Sequence, residues 1–493
     1  MKRLRATVIK NASFNVLRGC TAAVAVLALP HFLTRELDAQ RFSAWSLMLQ
    51  IAAYATFLDF GLQTSVARFI AQAIELEQDD RRDRLVETTF VLLSLAGAVA
   101  FSLIGVMIAG AGHFFHGVPA SLLGEFQLAA IFLALSAALA LPLSTFSGVL
   151  IGMHRNEVPA LAIGGSRVAG VVLAILVAQR TQSLVALSLC MTVTAIAGGL
   201  VQIPFTMRRM PSLRHLKPRI DRGLLAELLR FSGSLAVWNF GMLLISGLDL
   251  TIVAHFQFAT VGYYAIGASA ITLISGMNYA ILTAFLAPQA ALHARGEYER
   301  LASLLRRTTR INSLLNFLLS LGIILLAHPL LRHWVGEAYA IHALPVLIIL
   351  IVAQAIRQIG APYCMMLIAT GEQRKGIWSG ALEAVVNVTA SIWLAHTMGY
   401  VGVAWGTLLG AVAGMAALLL YTVPRAQEIS FSPWQLLESS LLRPLLCLTP
   451  LGAYTLAYTG GRVRLESAWL AAGLLASGLL SWGLGRTKPS REL

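Results

Sequence analysis

Long apolar runs recur from one end of this chain to the other, and they constrain its fold more than any other feature. Most of them exceed the ~20 residues that an α-helix needs to cross a bilayer, whereas a strand of a membrane barrel needs only about ten of alternating character. The pattern therefore predicts an all-α polytopic membrane protein. The predicted spans are fourteen in number, at 12–33, 43–70, 86–111, 122–150, 158–179, 183–207, 231–256, 262–290, 311–333, 341–369, 376–397, 400–422, 437–459 and 466–485.

Composition supports this class and excludes others. Of 493 residues, 57% are hydrophobic and 12% are charged, against about 45–50% and ~25% in a soluble chain. These values exclude a soluble enzyme and a disordered chain. The four cysteines lie in apolar stretches without paired spacing, so neither a metal site nor a disulfide framework is predicted.

The basic residues are distributed unevenly between the two sides of the predicted membrane. With the N-terminus inside, 27 of the 37 lysines and arginines fall on the cytoplasmic side, six on the opposite side and four within spans. This split follows the positive-inside rule and predicts that both termini are cytoplasmic. Twelve spans is the alternative count, because the last pair is the least certain. The net charge of +14 is thus read as orienting the chain against anionic membrane lipids, and no nucleic-acid partner is predicted.

A weak internal repeat divides the chain. Pro30-His31-Phe32 ends span 1 and Ala254-His255-Phe256 ends span 7, an offset of 224 residues, and other matched pairs have offsets of 219 to 221. Six spans per repeat give both halves the same orientation, so we expect two six-helix bundles related by a pseudo-two-fold axis along the membrane normal. The predicted domains are a bundle at 1–207, a basic linker at 208–230, a bundle at 231–423, and two further helices with a tail at 424–493.

Four short segments resemble a known family. They are LTRELDAQRF at 33–42, LDFGL at 58–62, ARF at 67–69 and VGYYA at 261–265. In these segments the chain is similar to the polysaccharide transporter family, the O-antigen and exopolysaccharide lipid-carrier flippases of the MOP (multidrug/oligosaccharidyl-lipid/polysaccharide) superfamily.

The resemblance implies a function as well as a fold. It implies two bundles around a central cavity that work by alternating access in the bacterial inner membrane. The implied substrate is undecaprenyl-diphosphate-linked oligosaccharide, moved from the cytoplasmic to the periplasmic leaflet, with polysaccharide assembly proteins as possible partners. No catalytic residues are implied, and the chain is not expected to be an enzyme.

Four arginines within spans are the candidates for binding the diphosphate. A charge at mid-bilayer costs at least ~2.5–3.5 kcal/mol, so it faces a partner or a wet cavity. Arg18 and Arg68 lie near cytoplasmic ends, where snorkelling to headgroups is the competing interpretation. Arg167 and Arg357 lie deeper, where the competing interpretation is a buried structural ion pair. A guanidinium binds phosphate oxygens through two N–H groups, which suits a diphosphate.

Polar side chains near Arg357 are the candidates for binding sugar. Gln354 and Gln358 share its helical face, and a second stripe repeats every four residues through Ser379, Glu383, Asn387 and Ser391. Sugars need hydrogen bonds and stacking surfaces, and the residues predicted to provide them are Gln354, Gln358, Asn387 and Trp378.

Three carboxylates within spans are candidates for coupling transport to an ion gradient. The candidates for binding H⁺ or Na⁺ are Glu383, Asp249 and Asp59, and no other cofactor is expected. For Asp59 the competing interpretation is packing near the cytoplasmic half of its span. Gly406, Gly410 and Gly414, in contrast, predict close helix packing.

Three alternatives remain beside the flippase. A multidrug and toxin extruder of the same superfamily would have twelve spans and an acidic cavity, whereas spans 13 and 14 and the deep arginines favour an anionic lipid. A membrane-bound polymerase or ligase would need a sizeable periplasmic loop, and even the longest outer connections here are only about a dozen residues. The third is a purely structural partner in a polysaccharide assembly.

Overall fold

Helices make up the secondary structure wherever the fold is described, and no strand occurs in those residues. The computed structural model describes residues 19, 21–59, 61–115, 117–215, 220–283, 285–426 and 431–459. Helices lie over thirteen of the fourteen predicted spans, and the last span, 466–485, is outside the described residues. The all-α polytopic membrane fold is confirmed.

The chain divides into two compact units, Met1–Ala265 and Ile266–Leu493. The first contains a helix over 21–36 and then helices at Ala39–Phe57, Leu62–Glu75, Asp79–Ala109, Ala111–Phe114, Ala120–Gly152, Glu157–Ala178, Leu184–Leu200, Gln202–Arg209, Arg222–Met242 and Asp249–Gln257. The helix Val261–Thr283 crosses the boundary. The second unit continues with Leu286–Ala294, Tyr298–Val335, Glu337–Ala369, Ile377–Ala417, Val423–Arg425, Pro433–Leu437 and Arg443–Thr459.

The predicted linker at 208–230 is partly helical. The helix Gln202–Arg209 ends within it, and Arg222–Met242 begins within it. The compact units divide later in the chain than this linker, after Ala265. The domain boundaries drawn from the repeat stay a prediction.

Long apolar helices dominate the described part of the chain. Eight helical segments are long and apolar enough to cross a membrane. One of them, Gln373–Arg425, is folded back on itself at Gly399 and therefore accounts for two predicted spans. Large apolar side chains on such helices face outward, including Val106 at 69% exposure and Leu420 at 78%. Outward apolar surface of this kind suits a lipid environment.

Two predicted spans are interrupted helices. Span 2 is broken between Ala39–Phe57 and Leu62–Glu75, where Gly61 adopts a left-handed φ of 73° that favours glycine. Span 7 contains a π-helical turn at Leu243–Gly247, directly before the helix that begins at Asp249. Periodicity of apolar residues does not reveal such breaks, because both sides of each break remain apolar.

Three helices of the second unit position the charged site, and we name them here. The asparagine helix is Tyr298–Val335, the arginine helix is Glu337–Ala369, and the glycine hairpin is Ile377–Ala417. The arginine helix packs against both of the others. The hairpin turns at Gly399, whose φ of 60° and ψ of −142° are outside the helical region.

Candidate functional site

Two charged side chains predicted within spans form an ion pair. Nε of Arg357 donates a hydrogen bond to Oε1 of Glu383 at 2.5 Å, joining the arginine helix to the glycine hairpin. The side chains are 20% and 15% exposed, so the pair lies at the edge of the packed helices. From the sequence, Arg357 was a candidate for binding the substrate and Glu383 a candidate for binding a coupling ion. The structure brings these two side chains into contact.

The guanidinium of Arg357 has only part of its hydrogen-bonding capacity in use. Nε and Nη2 of an arginine lie along one edge and are spaced to hold two oxygens. Nη2 of Arg357 is buried and has no hydrogen-bond partner among the residues that the structure describes. One half of this edge is therefore occupied by Glu383 and the other half is vacant within the described structure.

The predicted polar face around Arg357 packs against the asparagine helix. Gln354 and Gln358 are 7% and 8% exposed. Nδ2 of Asn312 donates to the backbone oxygen of Gln358 at 3.0 Å, and Nδ2 of Asn316 donates to that of Ala355 at 3.4 Å. These bonds align the two helices. The predicted sugar contacts of Gln354 and Gln358 stay a prediction.

A buried polar seam on the asparagine helix, which begins before predicted span 9 and continues into it, was missed by the sequence reasoning. Its side chains are all 2% exposed or less, and they are Thr308, Thr309, Asn312, Ser313 and Asn316. The hydroxyls of Thr308, Thr309 and Ser313 have no hydrogen-bond partner within the described ranges. Buried polar groups in proteins bind a partner or ordered water. These three hydroxyls can therefore each form a further hydrogen bond. The signal was the same four-residue spacing that marked the Glu383 stripe.

The glycine hairpin fixes the position of Glu383. A Cβ added at Gly414 would lie 2.7 Å from Oε2 of Glu383, and one at Gly410 would lie 2.7 Å from Cβ of Asn387. At Gly406 it would lie 2.3 Å from Oγ of Ser391. Glycines spaced four residues apart on one arm therefore pack against polar residues spaced four apart on the other arm. The glycines predicted to pack closely are in contact with the polar stripe itself.

This packing changes the interpretation of the stripe. Asn387 and Ser391 are both 0% exposed, and Oγ of Ser391 is hydrogen-bonded to the backbone oxygen of Val403 on the other arm at 3.2 Å. This bond joins the two arms, and only the Glu383 end of the stripe reaches the edge. Trp378, near the start of the hairpin, is 65% exposed. Sugar binding by Asn387 and Trp378 stays a prediction.

The first unit has a buried acidic centre. Asp249 is 7% exposed, and its Oδ2 accepts a hydrogen bond from the Tyr264 hydroxyl at 2.8 Å. The neighbouring Thr251 is hydrogen-bonded to the Tyr54 hydroxyl. Asp249 begins a helix directly after a π-helical turn, an irregularity that often marks functional sites.

Three of the four remaining predicted residues are in the described part of the first unit. Asp59 lies at the break in span 2, and Arg68 is exposed, with its guanidinium 5.9 Å from the centre of the Phe69 ring. Arg167 is half-buried on the helix Glu157–Ala178. Arg18 falls outside the described residues. Roles for these four in binding or coupling stay predictions.

A basic cavity of about 290 Å³ opens in the first unit. Its lining includes Arg82, Arg155 and Arg209. Arg82 is already paired with Asp79 and Asp83, and Arg155 is 3.1 Å from Glu157. The positive charge of this cavity is therefore largely compensated. In the described part of the chain no group of His, Cys, Asp and Glu is arranged to hold a metal ion.

More than half of the chain matches a protein-family model. This model is described as "Polysaccharide biosynthesis protein" and matches residues 32–343. The chain belongs to the polysaccharide biosynthesis protein family. A comparison with curated protein sequences gives no match.

Solved structures of transporters share the fold of this family member. The lipid II flippase MurJ, in an inward closed conformation, has a TM-score of 0.73 at 12% identity and covers 97% of this chain and 98% of its own. An inward-facing multidrug resistance MATE family transporter of the MOP superfamily has a TM-score of 0.59 at 17% identity, over 85% and 98%. A MATE transporter of Vibrio cholerae has a TM-score of 0.57 at 16% identity, over 84% and 97%. The chain has the same fold as these three transporters. The resemblance to a polysaccharide family found in the sequence is confirmed.

Proposed function

We propose that this protein is a transporter that flips undecaprenyl-diphosphate-linked oligosaccharide from the cytoplasmic to the periplasmic leaflet, for O-antigen or exopolysaccharide synthesis. The membrane is the bacterial inner membrane, with both termini in the cytoplasm. Membership of the polysaccharide biosynthesis family supports the substrate class. The MOP fold supports transport by alternating access.

The single observation that carries the proposal is the position and state of Arg357. It lies in the middle of an apolar helix, where a charge is costly and is kept for a partner or an anionic ligand. Its buried Nη2 has capacity for one more oxygen. A diphosphate cannot enter hydrocarbon without compensation of its charge, and a guanidinium supplies that compensation while remaining charged.

We also propose that transport is coupled to H⁺ or Na⁺ through a buried carboxylate. Asp249 suits this role because its carboxylate is buried beside a tyrosine hydroxyl in the first unit. Glu383 and Asp59 are the further candidates from the sequence. One charge moving across the membrane potential supplies ~2.3 kcal/mol per 100 mV.

The double variant R357Q/E383Q tests the substrate site. It removes both charges together, so neither is left buried without its partner, and glutamine has the shape of glutamate and retains a polar side chain in place of arginine. We expect polymer export to fall at least about thirtyfold, since losing a buried charged partner costs about 2–5 kcal/mol. Lipid-linked oligosaccharide should accumulate in the cytoplasmic leaflet. Both quantities are measured in cells whose protein level matches wild type.

The matched control is R443Q/E438Q, which neutralises a second arginine–glutamate pair of the same unit. This control should export polymer as wild type does. Wild-type export by R357Q/E383Q at normal protein level would refute the assignment of Arg357.

A cation-coupled multidrug extruder is the second candidate, favoured by the buried carboxylate of Asp249 and the MATE-like fold. Under that function, deletion of the protein would leave lipid-linked oligosaccharide unchanged and would raise sensitivity to cationic drugs. Under the flippase function, the same deletion would trap oligosaccharide in the cytoplasmic leaflet.

A further inference from the structure

The two arginine–glutamate pairs of the second unit use their N–H groups differently. Arg443 donates from both Nε and Nη2 to Oε1 of Glu438, at 2.9 and 2.6 Å. Arg357 donates to Glu383 from Nε alone, and its Nη2 is buried without a partner among the described residues. The edge of Arg443 is filled, whereas the edge of Arg357 is filled only in part.

We propose that the Glu383 carboxylate is a built-in competitor that occupies the place of the substrate's diphosphate on Arg357 until the substrate displaces it. This inference rests on the proposed function, and it adds a specificity-determining role for Glu383. An anion that binds Arg357 through a single oxygen gains nothing over Glu383. An anion that presents two oxygens to the Nε–Nη2 edge, as each phosphate of a diphosphate can, gains a second N–H group.

Glu383 is held weakly enough to be displaced. Arg357 is its hydrogen-bond partner at Oε1, and no other described residue donates a hydrogen bond to it. The other oxygen, Oε2, lies over Gly414, which offers no side chain to hold it. Displacement therefore breaks one charged hydrogen bond, and a diphosphate that occupies both Nε and Nη2 forms two.

The Glu383 carboxylate can also be solvated by water once the substrate has displaced it. Glu383 is at the edge of the packed helices, with 15% of its side chain exposed. Water that enters with the substrate headgroup can solvate it there. Asn387, one turn further along the same stripe, is fully buried and has no such access.

The test is direct binding of farnesyl diphosphate to the full-length chain in lipid nanodiscs, measured by calorimetry. This probe has the diphosphate and a short isoprenoid but no sugar, so it isolates the headgroup. Substitution E383Q removes the competing charge, and glutamine still accepts a hydrogen bond from Nε. We expect E383Q to bind the probe at least tenfold more tightly than wild type. The control E438Q, at the filled pair, should leave the dissociation constant unchanged.

Two further variants separate the possible outcomes. E383D keeps the charge on a shorter stem, so it should tighten binding by less than E383Q. R357Q should abolish binding. Equal or weaker binding by E383Q, together with loss of binding by R357Q, would overturn the competition and leave the proposed function standing. Undiminished binding by R357Q would overturn both the competition and the assignment of Arg357 to the substrate. An unfolding temperature of E383Q close to that of wild type in the same nanodiscs verifies its fold.

Discussion

The second unit contains two arginine–glutamate pairs that differ in what they join. Arg357 and Glu383 are 26 residues apart and connect two helices, with side chains 20% and 15% exposed. Arg443 and Glu438 are five residues apart, across a π-helical turn, with side chains 29% and 38% exposed. The more buried pair makes fewer hydrogen bonds. A buried guanidinium with an unbonded N–H group, such as that of Arg357, contributes little to stability. It can, however, exchange one bonded partner for another.

This difference separates a structural pair from a functional one. The Arg443 pair is local, filled and partly exposed, which is typical of an ion pair that contributes little beyond holding a helix start. The Arg357 pair is long-range and incompletely bonded, and it lies beside a seam of buried polar groups that also have unused capacity. The two pairs therefore serve as each other's controls.

Among the changes that probe this difference, reversal of the Arg357–Glu383 pair should have the largest effect. The double variant R357E/E383R keeps opposite charges in contact but moves the guanidinium to the hairpin, over Gly414. We expect export to fall more than about tenfold, because bidentate binding of phosphate depends on where the guanidinium lies. The reversal E438R/R443E should retain near wild-type export. Normal export by both reversals would mean that the pairs do not differ in function.

A methyl group at Gly414 should have an intermediate effect. In G414A the new Cβ would lie 2.7 Å from both Cβ and Oε2 of Glu383, so the carboxylate must shift. Overpacking of this kind costs about 1–3 kcal/mol. We expect a lower unfolding temperature and impaired export. Alanine at Gly380, on the opposite arm of the hairpin and with open space around it, is the control and should leave both quantities unchanged. Equal behaviour of the two variants would show that Gly414 does not position Glu383.

The smallest effect is expected at Ser391, which holds the arms of the hairpin together away from the ion pair. Its Oγ is hydrogen-bonded to Asn387 at 3.1 Å and to the backbone of Val403 at 3.2 Å. Side-chain hydrogen bonds between membrane helices contribute about 0.6 kcal/mol on average. S391A should lower the unfolding free energy by about that amount and leave export intact. T389A, on the exposed face of the same arm, is the control. A large loss of export in S391A would place the functional part of the stripe deeper than Glu383.

Much of the fold was predictable from local pattern. Runs of apolar residues located thirteen described spans. The sides predicted from the arginines and lysines stay a prediction. The glycines at 406, 410 and 414 correctly predicted close packing. Both signals are local in the sequence, since a span needs only length and hydrophobicity, and a packing face needs only four-residue spacing.

The site was less predictable because its key contact is not local. The sequence indicated that Arg357 and Glu383 are each unusual within a span, but which residue lies opposite each depends on how the arginine helix meets the hairpin. The asparagine seam was overlooked although its spacing was visible, because neutral amides in a span resemble ordinary packing residues. The break at Gly61 depends on one backbone angle, which hydropathy does not encode.

The single-residue turn at Gly399 has a mechanical consequence for the charged site. A link this short leaves no slack between the arms, and an added Cβ at Gly402 would lie 2.2 Å from the backbone oxygen of Leu394, so the arms already touch beside the turn. Neither arm can slide along the other without stretching the link. The turn therefore fixes the position of the Glu383 backbone along the hairpin axis relative to the other arm. When Glu383 changes partner, the motion consists of rotation about its own side-chain bonds.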